Sequence, residues 1–144
     1  NEARKYLDLA KEQDADNYSL WYASGITYLN LEKFDEAIAE LEQALKIKSD
    51  LSETHFAMGA SYINKAQKMF LAANEIMDVN KYEAAINEAN AVYAKALPYM
   101  QKAYEIDPND KYTMQSLREL YYRMRMMDEY NAIKAKLEAL EGQQ

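Results

Sequence analysis

The sequence contains no cysteine and, among 144 residues, only three glycines, two prolines and one histidine. Without cysteine there are neither disulfides nor thiolate metal sites. A reducing cytosol and an oxidising periplasm both accept such a chain, so this absence leaves the compartment open. The scarcity of Gly and Pro, set against abundant Ala, Leu, Glu and Lys, fits a chain that spends most of its length in helix and predicts an all-α fold. Positive charge is also short. Seventeen basic residues against 24 acidic ones leave a net charge of -7, which argues against a sequence-independent grip on phosphate backbones or anionic lipid. No stretch approaches the roughly 18 consecutive apolar residues of a membrane-spanning helix, and nothing at the start resembles a signal peptide. A Gly-rich phosphate loop, a cluster of His with carboxylates and a Ser, His, Asp set are all missing. No catalytic residue, cofactor or metal is therefore expected.

What is there is self-similarity. Trp21, Gly25 and Tyr28 fall four and three residues apart, Leu31-Glu32-Lys33-Phe34 reads as a turn, and Ala37 and Ala44 follow seven apart. Gly25 and Ala37 are placed where two antiparallel helices come closest, with Trp21 and Tyr28 filling the space alongside. This helix-turn-helix unit, over 18–51, resembles a tetratricopeptide repeat. Two residues depart from that family's pattern: Ser24 stands where Leu is usual and Ser49 where Pro is usual.

A second copy opens with His55, Met58, Gly59 and Tyr62 and closes with Ala96, Met100, Ala103, Asp107 and Pro108. Tyr28 precedes Ala37 by 9 residues, whereas Tyr62 precedes Ala96 by 34, so this unit, 52–110, carries an insertion of 25. The inserted stretch keeps a helical period, with Met69, Phe70, Ala73, Ile76 and Met77 on one arm and Tyr82, Ala85, Ile86, Ala89, Val92 and Tyr93 on the other. Its break is expected at Asp78-Val79-Asn80-Lys81. Each helix then gains about 12 residues, or roughly 18 Å, and a helical hairpin projects from the stack. Pro98, inside the returning helix, is expected to kink it near Ala94.

The third copy, 111–144, follows Asp107-Pro108-Asn109-Asp110 with Met114, Leu117, Arg118 and Tyr121 at the corresponding offsets, and is the least faithful because Arg118 replaces the small residue. Met124, Met126 and Met127 around its turn read as core filler rather than an adaptable contact surface. Its second helix, about 128 to 140, reads as a polar cap with Lys134, Lys136, Glu138 and Glu141 outward. At the other end, Ala3, Leu7 and Ala10, followed by Asp14-Ala15-Asp16-Asn17, resemble the second helix of an earlier repeat. Because the chain opens at Asn1 inside a helix, an upstream portion is expected. The whole, 1–144, is read as one domain.

The resemblance implies a right-handed α-α superhelix whose concave groove receives peptides. Its lining would be Ser19, Tyr22, Ile26, Leu29 and Asn30 from the first full unit, Glu53, Phe56, Ala60, Ile63 and Asn64 from the second, and Tyr112, Gln115, Glu119, Tyr122 and Arg123 from the third. Asn30 and Asn64, at equivalent places, can each donate to and accept from a peptide backbone. Tyr22, Phe56 and Ile63 would supply apolar pockets. Members of the family that bind chaperone tails hold a terminal carboxylate with Lys and Asn. Here Tyr22, Ile26 and Phe56 occupy those places, which disfavours that ligand.

His55 occupies the place of Trp21 and is read as a packing residue rather than a catalyst or ligand. Asp35 with Glu36, and Asp128 with Glu129, are read as charges at helix N-termini rather than acid/base pairs. The 13 tyrosines fall largely on packing positions, which sets glycan binding aside. The expected function is a protein or peptide docking scaffold, not an enzyme. The alternatives are a self-assembling structural module, such as a homodimer, and an accessory domain of a protein whose activity lies upstream. A resemblance to bacterial envelope proteins that end in such repeats implies the periplasm or cell envelope rather than the cytoplasm.

Overall fold

The computed structural model describes residues 2–142, which form seven α-helices and, among those residues, no strand. In chain order they are α1 (Glu2–Gln13), α2 (Tyr18–Asn30), α3 (Phe34–Ile47), α4 (Ser52–Ala73), α5 (Val79–Ile106), α6 (Lys111–Arg123) and α7 (Met127–Gly142). Asn1, and with it the expectation drawn from it, lies outside the described residues. Each helix packs chiefly on its neighbours in the chain, as in a solenoid.

Local chemistry sets the helix starts. The Asn17 side chain accepts from the Ser19 amide at 3.1 Å, Asp78 from Lys81 at 2.9 Å and Asp110 from Tyr112 at 3.0 Å, each satisfying an orphan N-terminal donor. The expected first-turn acids Asp35, Glu36, Asp128 and Glu129 are in place on α3 and α7.

The turns of the first and third hairpins are the same object. Glu32 and Arg125 adopt φ of 58° and 57°. The amides after them, on Lys33 and Met126, donate to Tyr28 and Tyr121 carbonyls at 2.9 and 2.8 Å. Glu32 and Arg125 themselves donate to Leu29 and Tyr122 at 3.0 and 3.1 Å. This is a Schellman closure with a left-handed residue at its corner. The third unit, which matches the repeat pattern least in sequence, reproduces both closing hydrogen bonds of the first.

Helix pairs are held by a repeated close approach. A Cβ added to Gly25 would lie 2.6 Å from Leu41 Cγ, and one added to Gly59 would lie 2.8 Å from Met100 Cε. Leu41 and Met100 each stand four residues after an alanine, Ala37 and Ala96, that is wholly buried, as are Ala44 and Ala103. The partner of Gly25 is thus chiefly the Leu41 side chain, with the Ala37 carbonyl further off at 3.5 Å. Trp21, Tyr28 and Tyr62 are buried or half-buried beside these contacts, and Pro108 lies exposed in the turn between α5 and α6.

The second hairpin is elongated, with 22 residues in α4 and 28 in α5 against 13 in α2 and 14 in α3. The extension is unequal and the turn comes earlier than expected. The chain leaves helix after Ala73 and re-enters it at Val79. Ile76 and Met77 therefore belong to the turn, and Val79-Asn80-Lys81 is the first turn of α5, because Asp78 caps that helix rather than breaking one. α5 runs through Pro98 as one helix. Pro98 and Ala94 are both on the exposed side, so the Ala94 carbonyl that loses its donor faces water.

Two apolar clusters form the core. Ile38, Leu41, Ala57 and Met58 make the smaller one, between α3 and α4. The larger joins the arm base to the third hairpin through Ala66, Tyr93, Ala96 and Met100 against Leu117, Leu120, Ile133 and Leu137. Of the three methionines at the last turn only Met126 packs on this cluster; Met124 and Met127 are exposed. They sit on either side of the corner at Arg125, where the chain turns away from the core. On α7, Lys134, Lys136, Glu138 and Glu141 are exposed.

Candidate functional site

The first helices of the three hairpins, α2, α4 and α6, present one face with three adjoining depressions. The middle one, about 290 Å³, is floored by Tyr22, Ile26, Leu29, Phe56, Ala57 and Ala60, with Ser52, Glu53 and Asp110 at its edge. Phe56 is shared with a second, about 500 Å³, whose other walls are Tyr112, Gln115, Ser116, Arg118 and Glu119. Leu29 is shared with a third, about 540 Å³, that holds Asn30 and Asn64 together with Gln67, Lys68 and Leu71. Leu29 and Phe56 are thus common walls, and the three depressions form a segmented trough across the hairpins.

Eleven of the fifteen residues expected to line a groove border this trough: Tyr22, Ile26, Leu29, Asn30, Glu53, Phe56, Ala60, Asn64, Tyr112, Gln115 and Glu119. The two amides expected to act together are in the same depression. Ile63 is a correction: it is buried in the larger core cluster. Leu29, its counterpart, sits next to the end of α2, whereas α4 continues past Ile63, alongside the elongated α5. Tyr122 borders none of the depressions; it is exposed, with its ring centroid 5.5 Å from that of Tyr130. Arg123 also leaves the groove set. Its guanidinium lies 4.4 Å from the centroid of Tyr93 and 5.2 Å from that of Phe70, pinning the arm base to α6 by cation–π contact. Ser19 is exposed and borders none of the depressions described here.

Tyrosine and glutamate chemistry marks the middle depression. Tyr18 and Tyr22 are stacked, centroids 5.8 Å apart. The Tyr18 hydroxyl donates to Glu53 Oε1 at 3.1 Å and also meets the Thr54 hydroxyl, tying α2 to α4. Burial, with the Glu53 charge adding, pushes the Tyr18 phenol up to about 12. Tyr22 is raised for the same two reasons, burial first. At neutral pH both phenols are therefore uncharged.

On the opposite side of the hairpins, the unusual residues of the repeats are accounted for. Lys11, buried at 7% exposure, was not marked by the sequence. Its amine donates to Glu40 at 2.7 Å and to Ser24 at 3.2 Å, pairs with Asp8 at 3.1 Å and lies 4.8 Å from the centroid of Trp21. The small hydroxyl at Ser24 leaves space and an acceptor for that amine where a leucine would leave neither. His55 repeats the bond of Trp21: each ring nitrogen meets the carbonyl six residues earlier, Ala15 for the indole at 2.7 Å and Ser49 for the imidazole at 2.8 Å. That is a packing role. No signal within the repeat could have shown Lys11 or the Tyr18–Glu53 link, because neither recurs in the other units.

A family model described as a TPR repeat matches residues 25–65. With the repeated hairpins, this defines the class of fold: an all-α helical-repeat solenoid that matches a tetratricopeptide repeat over those residues. Among solved structures it superposes on one titled "MamA MSR-1 C2" with a TM-score of 0.69, at 15% identity over 99% of this chain and 67% of that one. A structure titled "MamA 41-end from Desulfovibrio magneticus RS-1" aligns at 21% identity over 99% and 86%, TM-score 0.44. No curated protein matches by sequence. The repeat class supports a general role as a protein-interaction scaffold.

Proposed function

We propose that the chain is a docking scaffold that seats an extended segment of another protein along the trough of α2, α4 and α6. The row of three adjoining depressions, with Leu29 and Phe56 as their common walls, carries this reading. Depressions in a row, parted by single side chains, suit successive side chains of one extended segment. Asn30 and Asn64 offer amides to its backbone and Tyr22, Ile26 and Phe56 offer apolar contact. The test is capture from an extract of the source cells by the wild-type chain and by a Tyr22→Ala, Asn30→Ala, Phe56→Ala, Asn64→Ala variant of equal helicity. A partner held by the first and lost by the second supports groove docking; equal capture by both overturns it.

A second reading, self-association, is favoured by apolar side chains left open away from the trough. Tyr6 and Leu9 on α1 are 74% and 53% exposed, and Met77 at the arm tip is 95% exposed. Sedimentation equilibrium decides it: a mass that rises with concentration and returns to the monomer on Tyr6→Ser, Leu9→Ser or on Met77→Ser identifies the face. The location in a bacterial cell envelope is part of the same proposal, and fractionation of the source cells with an antibody to the chain tests it.

A further inference from the structure

The middle depression has acid at its rim and no base. Its floor is Tyr22, Ile26, Leu29 and Phe56, and its charged neighbours are Glu53 and Asp110. The two carboxylates are not equivalent. Both stand at a helix N-terminus, Glu53 in the first turn of α4 and Asp110 as the cap of α6, but Asp110 already accepts from the Tyr112 amide and the Thr113 hydroxyl, both at 3.0 Å. Glu53 is exposed and accepts only from the neutral Tyr18 hydroxyl among the described residues, where no lysine or arginine pairs with it. An anion without a counter-ion, beside the ring of Tyr22 and above apolar floor, is arranged to receive a cation carried on an apolar segment. Ring faces attract cations, and a hydrogen bond to a charged group is stronger than one between neutral groups.

We infer that the trough is selective for segments in which an aliphatic side chain, seated on Tyr22, Ile26 and Phe56, lies next to a lysine or arginine that pairs with Glu53. This rests on the docking reading above and adds the chemistry of the occupant. At the middle depression an acidic segment meets Glu53 and Asp110 unpaired, and a basic segment without aliphatic side chains leaves the floor empty.

The experiment uses the full chain and three fluorescein-labelled ten-residue peptides, alternating Lys and Leu, Glu and Leu, or Lys and Ser, read by fluorescence anisotropy at two salt concentrations. The Lys/Leu peptide is expected to bind at least tenfold more tightly than either other. Glu53→Gln is expected to weaken it about tenfold, as loss of a charge-assisted bond would, and to reduce its salt dependence. Glu138→Gln, on exposed α7, removes the same charge from the molecule and is expected to change nothing. Equal weakening by both variants would assign the attraction to the net charge and overturn the inference, as would tighter binding of the Glu/Leu peptide or no binding of the Lys/Leu peptide. A different result sinks the docking reading itself: Lys/Leu binding untouched by Tyr22→Ala with Phe56→Ala. Binding that needs those rings but ignores charge leaves docking standing and removes only the selectivity.

Discussion

Lys11 shows how a single side chain can be held in an interior that ordinarily rejects it. Burial opposes its charge, but hydrogen bonds to Glu40 and Asp8 outweigh that cost and raise its pKa above the ordinary lysine value of 10.5. A pKa raised by folding means that the protonated amine contributes stability below 10.5, and that this contribution fades as pH climbs through the higher folded value. Lys11→Met removes the pairing and leaves Glu40, whose side chain is only 18% exposed, without its cation. The expected cost is roughly 1–3 kcal/mol. Thermal unfolding followed by circular dichroism should show the variant melting lower at pH 7 and the gap closing above pH 10.5. A gap that persists at the highest pH would mean that packing of the lysine stem, not its charge, is what matters.

At the scale of the element, the two glycines that let helices approach are alike in sequence and unlike in surroundings. Replacing either with alanine improves helix propensity by about 1 kcal/mol. At Gly25 the new methyl would lie 2.6 and 2.7 Å from Cγ and Cδ2 of the branched, fully buried Leu41, and overpacking of this kind costs about 1–3 kcal/mol. At Gly59 it would meet Met100, an unbranched thioether that can swing aside. Gly25→Ala is therefore expected to destabilise and Gly59→Ala to stay within about 1 kcal/mol of wild type in urea unfolding. Equal losses would show Met100 as locked as Leu41. Much of this was legible beforehand, because Trp21, Gly25, Tyr28 and Ala37 report helix packing through spacing alone. The arm was legible in its existence and size but not in its turn. The helical period of Ile76 and Met77 masked the break, and Asp78, which resembles a turn residue, is a cap. Ile63 and Arg123 were misplaced for a related reason. Repeat spacing locates residues against their own hairpin, and only the elongation of α4 and α5 supplies Phe70 and Tyr93 for Arg123 and buries Ile63 in the cluster they border. The trough was legible as a set of positions; its charge asymmetry was not, because Tyr18 and Glu53 come from different units and Asp110 stands 57 residues beyond Glu53, across the insertion.

For the whole molecule, a stack in which each helix rests mainly on its neighbours should open from its ends. α1 leans on α2 with Tyr6 and Leu9 still in water, whereas α4 and α5 share the longest interface and anchor both core clusters. Hydrogen exchange read by mass spectrometry is expected to be fastest in α1 and α7 and slowest around Ala66, Ala96 and Met100. Uniform protection from α1 to α7 would show one cooperative unit instead.

α4 has a consequence of another kind. At 22 residues it is roughly 33 Å long, with Phe56 and Ala60 in the trough near one end and Leu71 toward the arm tip at the other. Glu53, Phe56, Ala60 and Asn64 ride on the same rod as the tip, and the rod is gripped between them by Arg123 over Phe70. Trough residues from Glu53 to Leu71 lie on this one rod, so the arm and one wall of the trough are a single piece of helix, and neither can be displaced as a rigid body without the other.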